Sequence, residues 1–293
     1  MASSILASTT SSPRHRPATR PGRLRRFLAR PRAAVGLGLT GLLVALAILA
    51  PLVARHDPLG LAKGQELAPP SATFLFGTDE LGRDIFSRVI YGARTSFLVA
   101  FVSVLIASVI GVVTGLVGGY VGGRSDAAIM RLMDTVLAFP AILLAMAIVS
   151  LLGPSSFNAM LAVAVVSIPT YARLTRGSVL AEREKEYVES ARAIGARDRH
   201  IIFRTILPNT LTPVMIQVTI SMGYAVLLEA GLSFLGLGTQ PPTPSWGGML
   251  FAASSYLYQA PWYGLYPGLF LTALVLGLNF VSEGLQDVLS RAG

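Results

Sequence analysis

Cysteine is absent from this sequence of 293 residues, and histidine occurs only three times. Without cysteine the chain has no disulfide framework, no thiol nucleophile and no zinc or iron–sulfur site with Cys ligands. The histidines stand far apart, as His15, His56 and His200, so no His cluster falls within an apolar segment. These absences disfavour a metalloprotease or a His relay, and we predict no catalytic, metal-binding or cofactor-binding residue in this chain.

Charge is also scarce in this sequence. Only 13% of the residues are charged and 53% are hydrophobic, whereas a soluble domain carries about 25% charged residues. The apolar residues fall into long runs that suit helices crossing a bilayer. We therefore predict an all-α integral membrane protein with about six transmembrane helices, at residues 33–54, 95–120, 129–152, 157–172, 211–237 and 266–285.

The first predicted span, 33–54, follows a basic segment, as a secretory signal would. As a helix it is about 33 Å long, and it exceeds the 7 to 15 apolar residues of a signal peptide, so we interpret it as an uncleaved anchor. The preceding residues 1–32 are rich in Ser, Pro and Arg and are predicted to be disordered. Beside an anchor, their arginines fit anionic lipid better than nucleic acid.

The distribution of Lys and Arg predicts the orientation, because cytoplasmic loops hold the excess of both residues. The excess lies in residues 1–32 and in the loop 173–209. Both termini and this loop are therefore predicted to be cytoplasmic, and residues 55–94 and 238–264 form the outer loops. The outer side has only five basic residues, and acidic residues lie near them. The five are Arg55, Lys63, Arg83, Arg88 and Arg94.

Small residues and prolines within the spans carry packing information. Small residues at a spacing of four line one helix face and allow another helix to approach closely. Pro140 and Pro169 each remove a backbone hydrogen bond and are expected to bend their spans. The small residues of the second span are Ser103, Ala107, Gly111, Gly115, Gly119 and Gly123.

Glu229 is the one acidic residue well inside a predicted span, where a charge costs about 2.5 to 3.5 kcal/mol. It is part of a gate or path, grouped here with Met222 and Asn279, or it is a helix-packing carboxylate, or it lies near the outer interface. Asp134 lies three residues from Arg131, so we predict a local ion pair.

The two outer loops contain further patterns. After the turn at 77–84, apolar residues from Ile85 to Ile90 on one face predict an interfacial amphipathic helix. The acids of that turn suggest calcium only weakly, since the EF-hand pattern is absent. Between Trp246 and Pro261 an apolar stretch too short to cross predicts a re-entrant or surface helix. Aromatic residues there form either an interfacial belt or a docking surface for an outside protein: Trp246, Tyr256, Tyr258 and Trp262.

The cytoplasmic segment 181–209 predicts a docking element. Good helix formers extend to Ile194, with Tyr187 and Ala191 on the same face, and Gly195 suits a left-handed turn at the helix end. Asp198 is positioned to cap a second short helix that runs toward Pro208. A simple pore does not need such a helix–glycine–helix loop, although a solvated charged loop remains the alternative.

Three ordered motifs in this chain resemble one family of membrane proteins. Glu189-Ser190-Ala191, then Gly195, then Leu207-Pro208 resembles the EAA loop of ATP-binding-cassette (ABC) importer permeases. Two other segments resemble the C-type subunit of the dipeptide, oligopeptide and nickel branch. They are Gly77-Thr78-Asp79 with Gly82-Arg83-Asp84, and residues 232–238 followed by Pro241-Pro242 and Ser245-Trp246-Gly247.

The resemblance implies a type I ABC importer permease fold, with its core in residues 95–293. Its implied partners are a homologous permease subunit, two ATPase subunits or one fused ATPase, an extracytoplasmic binding protein and membrane lipids, but no nucleic acid. Both lysines, Lys63 and Lys185, lack the preceding glycine of a phosphate-binding P-loop, so ATP and Mg are expected on the ATPase partners. The coupling residues implied are Tyr187, Glu189, Ser190, Ala191, Ala193, Gly195, Ala196, Leu207 and Pro208.

Substrate choice is left open by the sequence. Within the resembled branch, di- and oligopeptides are the expected cargo, and nickel chelates or another small solute are the alternative. An ATP-independent channel or secondary transporter explains the spans but leaves the loop 173–209 without a role. An intramembrane enzyme would need a second catalytic group beside Glu229, and the spans contain neither Cys nor His.

Overall fold

The computed structural model describes residues 30–290, so the prediction of a disordered tail concerns residues that lie almost wholly outside it. Within that range the chain is helical, without a β-strand and with one isolated bridge between Thr78 and Asp84. The helices are α1 (Pro31–Ile48), α2 (Ala50–Val53), α3 (Ile85–Val121), α4 (Gly123–Leu137), α5 (Ala141–Leu152), α6 (Ser156–Arg183), α7 (Glu186–Ala193), α8 (Asp198–His200), a π-helix (Ile201–Ile206), α9 (Leu207–Phe234), α10 (Trp246–Ser254) and α11 (Pro261–Ser290).

The predicted membrane architecture is confirmed in its main features. Five helical segments are long and apolar enough to cross a membrane, formed by α1, α3, α6, the stretch Asp198–Phe234 and α11. A sixth crossing is available if α4 and α5 form one span, although they meet at an angle of 91°. Pro140 stands at this break as the residue that precedes α5, whereas Pro169 lies inside α6, which continues through it.

The prediction of a separate interfacial helix after the first outer loop is wrong. Helix α3 runs without interruption from Ile85 to Val121, because Asp84 caps its first turn and no proline follows within it. The side of this helix that we expected to face water is also buried, since Ser87 and Arg88 lie under the folded outer loop. Ser87 and Arg88 therefore make contacts inside the protein and do not face water.

The small residues of α3 pack against α6, as the spacing predicts. A Cβ atom added to Gly111 would lie 2.4 Å from Cβ of Tyr171, and one added to Gly115 would lie 2.5 Å from the carbonyl oxygen of Ala172. Gly119 meets Val179 in the same way. Gly123 is outside this interface, because α3 ends at Val121.

Ion pairs join the cytoplasmic ends of the helices, and one differs from the prediction. Asp134 pairs with Arg173 of α6 at 2.5 Å, not with Arg131 in its own helix. A local spacing could not reveal this partner, since it comes from a different helix. At the chain ends, Arg30 pairs with Asp287 of α11, so the basic residue nearest α1 has a protein partner.

Candidate functional site

Helix α7 is fixed to the cytoplasmic end of the bundle by one buried side chain. Val188 is fully buried in a small apolar group, which we call the anchor cluster and which also contains Leu116, Val179, Ile201 and Ile206. The predicted coupling residues Glu189, Ser190 and Ala193 are exposed, and Ile194 is 85% exposed. The helix therefore has one anchored face and one face open to a partner.

Gly195 forms the turn that follows α7, as predicted. Its φ angle is +81°, a region that disfavours residues with a Cβ atom. Two backbone hydrogen bonds close the turn, from Gly195 N–H to Arg192 at 2.9 Å and from Ala196 N–H to Ala191 at 3.0 Å. Apart from Gly195 and its two neighbours in the chain, no described residue has an atom within 4 Å of a Cβ built on Gly195, so the turn projects into open space.

Tyr187 connects α7 to both neighbouring helices. Its hydroxyl donates to the Glu182 carboxylate of α6 and accepts from the side-chain amide of Asn209 in α9 at 3.0 Å. Burial, and then the hydrogen bond to Glu182, raise the pKa of this hydroxyl above its ordinary value, so it remains a donor at neutral pH. This partly exposed side chain thus links α7 to both α6 and α9.

The second helix of the loop differs from the prediction in its cap and in its length. Asp198 does not cap it; instead its carboxylate accepts a 2.5 Å hydrogen bond from the Tyr120 hydroxyl of α3. The helix also does not stop near Pro208, but continues through the π-helix into α9. Pro208 has no N–H and sits in the first turn of α9, directly after the wider π-helical turns.

On the outer side, a buried ion cluster holds the first loop against α3. The Asp79 carboxylate accepts from Arg83 Nε at 2.6 Å and lies 3.4 Å from Arg88 Nε. Asp84 accepts from the Ser87 hydroxyl at 2.6 Å. No set of three His, Asp or Glu side chains in residues 30–288 is placed to hold a metal ion. Asp79 and Asp84 therefore interact with side chains of the protein itself, and the structure gives no support to a calcium site.

The aromatic residues proposed for docking fall into two groups. The prediction is wrong for Trp246, because its side chain is fully buried between the outer loop and α3. Trp262 is partly buried against the backbone of Gly77. Tyr258 is fully exposed and Tyr256 is partly exposed, so these two tyrosines remain available to a partner.

Glu229 is completely buried in the second-last turn of α9. Its carboxylate accepts a 2.7 Å hydrogen bond from the Ser233 hydroxyl, whose oxygen in turn accepts from the Thr239 N–H of the outer loop at 3.1 Å. Of the other two path residues, Met222 is buried and Asn279 is exposed. In this arrangement Glu229 lies at a junction between α9 and the outer loop, not on an open surface.

A cavity of about 340 Å³ separates the two outer loops. Its wall includes Glu80 and Arg83 from the first loop, Arg88 from the start of α3, and Thr239 and Gln240 from the second loop. The sequence did not predict this cavity, because the two loops are far apart in the chain. The apolar pattern of residues 85–90 also suggested that the polar side of that helix faces solvent.

The sequence matches the models of two known protein families. The model of the family described as binding-protein-dependent transport system inner membrane component matches residues 107–292. The model for the N-terminal TM domain of oligopeptide transport permease C matches residues 23–70. The chain therefore belongs to the binding-protein-dependent transport system inner membrane components, the permeases of ABC importers, and is a multi-pass protein of the inner membrane. More narrowly, it is a C-type permease subunit, which confirms the resemblance seen in the sequence.

Individual relatives agree with this assignment. The chain is 44% identical to the "Di/tripeptide transport system permease protein DppC" of Pseudomonas aeruginosa, with 85% of this chain and 84% of the relative covered. It is 45% identical to the "Dipeptide transport system permease protein DppC" of Alkalihalophilus pseudofirmus, over 88% and 84%. It is 42% identical to the "Glutathione transport system permease protein GsiD" of Pectobacterium atrosepticum, over 90% and 88%.

A solved structure supports the fold. The chain matches the inward-facing MetNI methionine ABC transporter with a TM-score of 0.58 and 20% sequence identity. The match covers 69% of this chain and 96% of that one. The type I importer permease fold that the motifs implied is thus confirmed.

Proposed function

We propose that this chain is one of two homologous permease subunits that together import short peptides. The single observation that carries this proposal is the exposed tip formed by α7 and Gly195. Val188 holds this tip at the cytoplasmic end of the bundle, and the chain belongs to the importer permease family. An extracytoplasmic binding protein delivers the peptide, and the path lies between the two permease subunits.

Energy enters through partner subunits that bind and hydrolyse ATP with Mg. Either two ATPase subunits or one fused ATPase receive the exposed face of α7. Because Val188 belongs to the same apolar cluster as Leu116 of α3 and Val179 of α6, a displacement of α7 is transmitted to both membrane helices. Rigid-body movement of this kind reorients packed helices between inward-facing and outward-facing states.

The outer surface receives the binding protein at its exposed tyrosines. Tyr258 projects fully into solvent, with Tyr256 beside it in the loop that follows α10. Tyrosine suits such a surface, since its ring supplies contact area and its hydroxyl supplies hydrogen bonding.

Short peptides are the proposed substrates because two of the compared relatives are named for dipeptide or di/tripeptide transport. The glutathione permease is almost equally similar, and glutathione is itself a modified tripeptide. A nickel chelate or another small solute is the alternative within the same machine. An ATP-independent channel is disfavoured, since a channel gives the α7 tip no role.

The substrate proposal is tested by uptake into cells. A strain that lacks this subunit would receive the parent gene, and uptake of a labelled dipeptide would be compared with uptake of a labelled nickel chelate. We expect the parent gene to restore dipeptide uptake alone. Restored chelate uptake without dipeptide uptake would assign the alternative substrate.

A further inference from the structure

Tyr120, the second-last residue of α3, contacts both flanks of the Gly195 turn. Its hydroxyl donates a 2.5 Å hydrogen bond to the carboxylate of Asp198, which follows the glycine by three residues. On the other flank, the guanidinium carbon of Arg192 lies 5.9 Å from the centre of the Tyr120 ring, within the range of a cation–π contact. One side chain of a membrane helix therefore reaches the residues on either side of the exposed turn.

The ring of Tyr120 also packs against the anchor cluster. It lies there beside Ala191 and Ala196 of the loop, whose backbones are joined by the 3.0 Å hydrogen bond that closes the turn. A phenylalanine ring would make the same apolar contact. Packing therefore accounts for the ring of Tyr120 but not for its hydroxyl.

The hydroxyl of Tyr120 connects α3 to the second half of the loop. Asp198 is the first residue of α8, and its carboxylate accepts from Tyr120 instead of capping its own helix. A hydroxyl bonded to a carboxylate at this distance forms a charge-assisted hydrogen bond, which is stronger than a bond between neutral groups. The bond joins positions that are 78 residues apart in the chain.

The end of α3 that carries Tyr120 is itself held to α6. The guanidinium Nη1 of Arg183 donates to the backbone carbonyl of Gly119 at 3.1 Å, which satisfies one of the carbonyl groups that a helix end leaves free. Gly119 also packs closely against Val179 of α6. Tyr120 therefore extends from a well-packed part of the bundle to the exposed turn at Gly195.

We propose that Tyr120 is a positioning residue for coupling, because its hydroxyl, through Asp198, sets the orientation of the Gly195 turn relative to α3. A displacement of the turn by the ATPase then moves the end of α3 through this hydrogen bond, in addition to the path through Val188. This inference rests on the proposed docking of an ATPase at the α7 tip. It goes further in naming a residue of a membrane helix on which coupling depends.

Hydrogen–deuterium exchange tests the contact without the ATPase. The full-length chain, purified with its permease partner, would be compared with its Tyr120→Phe and Asp198→Ala variants. Both variants lose the hydrogen bond, so the amides of Gly195 and Ala196 should exchange about two- to tenfold faster, the usual effect of one hydrogen bond on an equilibrium constant. Asp198→Asn keeps an acceptor oxygen and should exchange as the parent does. Unchanged exchange in Tyr120→Phe would overturn the inference.

ATPase activity of the complete transporter in liposomes tests the role in coupling. Tyr120→Phe should still co-purify with the ATPase and unfold near the parental temperature. The ratio of ATPase activity with loaded binding protein to activity without it should fall about two- to tenfold, and Asp198→Asn should keep the parental ratio. The matched control is Tyr224→Phe, at an exposed tyrosine of α9, which should leave the ratio unchanged.

The outcomes separate this inference from the proposed function. A parental ratio in Tyr120→Phe, or an equal fall in Tyr224→Phe, would overturn the role of Tyr120. Loss of the ATPase from Tyr120→Phe would also overturn it, since the hydroxyl would then serve docking and not transmission. A parent that binds no ATPase would refute the proposed function instead, and the exchange experiment would still decide whether Tyr120 fixes the turn.

Discussion

The Trp246 indole N–H donates a 2.9 Å hydrogen bond to the backbone carbonyl of Val89. The same ring lies against Gly92, where an added Cβ would be 3.2 Å from the indole. The second outer loop is thereby attached to the first turns of α3. Because Trp246 is fully buried, this contact fixes the first residue of α10 to the start of α3.

Trp246→Ala is expected to destabilise the protein by about 3 to 5 kcal/mol, the usual cost of removing a large buried aromatic side chain. The loss should appear as a lower thermal unfolding temperature in detergent. Tyr258→Ala is the control, because its fully exposed ring makes no comparable contribution to the core. A similar unfolding temperature for both variants would contradict the burial of Trp246.

Close packing between α3 and α6 gives a second prediction. Gly111→Leu places a side chain where Tyr171 and the backbone of α6 already lie, so we expect about 1 to 3 kcal/mol or more of destabilisation. Gly41→Leu is the control, since no atom outside its own stretch of helix lies within 4 Å of an added Cβ there. Expression level and thermal unfolding of the two variants would be compared, and equal behaviour would show that α3 and α6 do not meet at Gly111.

Local patterns predicted some of these features and missed others for a physical reason. The spacing of Gly111 and Gly115 predicts a close helix contact, and Gly195 predicts a left-handed turn, because each depends on a few neighbouring residues. The pairing of Asp134 with Arg173 and the burial of Trp246 depend on residues distant in the chain. Apolar periodicity cannot show that a folded loop covers the polar side of a helix.

The buried ion cluster of the first outer loop gives a third prediction. Asp79→Asn removes the charge that faces two buried guanidinium groups, Arg83 and Arg88. Breaking a buried pair in this way typically costs about 3 to 5 kcal/mol. Glu66→Gln, at an exposed position of the same loop, should be nearly neutral. Thermal unfolding in detergent measures both, and a stable Asp79→Asn protein would rule out the cluster as a stabilising element.

Glu229 gives a fourth prediction that separates packing from gating. Glu229→Gln keeps an oxygen that accepts from Ser233, so we expect near-parental stability and dipeptide uptake within about twofold. Glu229→Ala removes this acceptor and should lower the unfolding temperature, as loss of a buried hydrogen bond costs about 1 to 3 kcal/mol. Normal stability of Glu229→Gln together with lost uptake would assign the carboxylate to a gate or path instead.

Gly195 gives a fifth prediction, about coupling. Gly195→Trp should leave membrane insertion intact but prevent association with the ATPase, because the bulky side chain occupies the exposed tip of the loop. Gly153→Trp is a matched control, since Gly153 also has a positive φ and open space around it but precedes α6, at the opposite end from α7. Association would be measured by co-purification, and an ATPase retained by Gly195→Trp would argue against docking at this turn.

The most direct test of the central claim measures ATPase activity in liposomes. This chain would be reconstituted with its candidate permease and ATPase partners, with and without a binding protein loaded with a dipeptide mixture. We predict that the loaded binding protein stimulates ATP hydrolysis, and that Gly195→Trp abolishes the stimulation while Gly153→Trp preserves it. Assembly of the complex without any stimulation by loaded binding protein, or equal stimulation in both variants, would contradict coupling through the α7 tip.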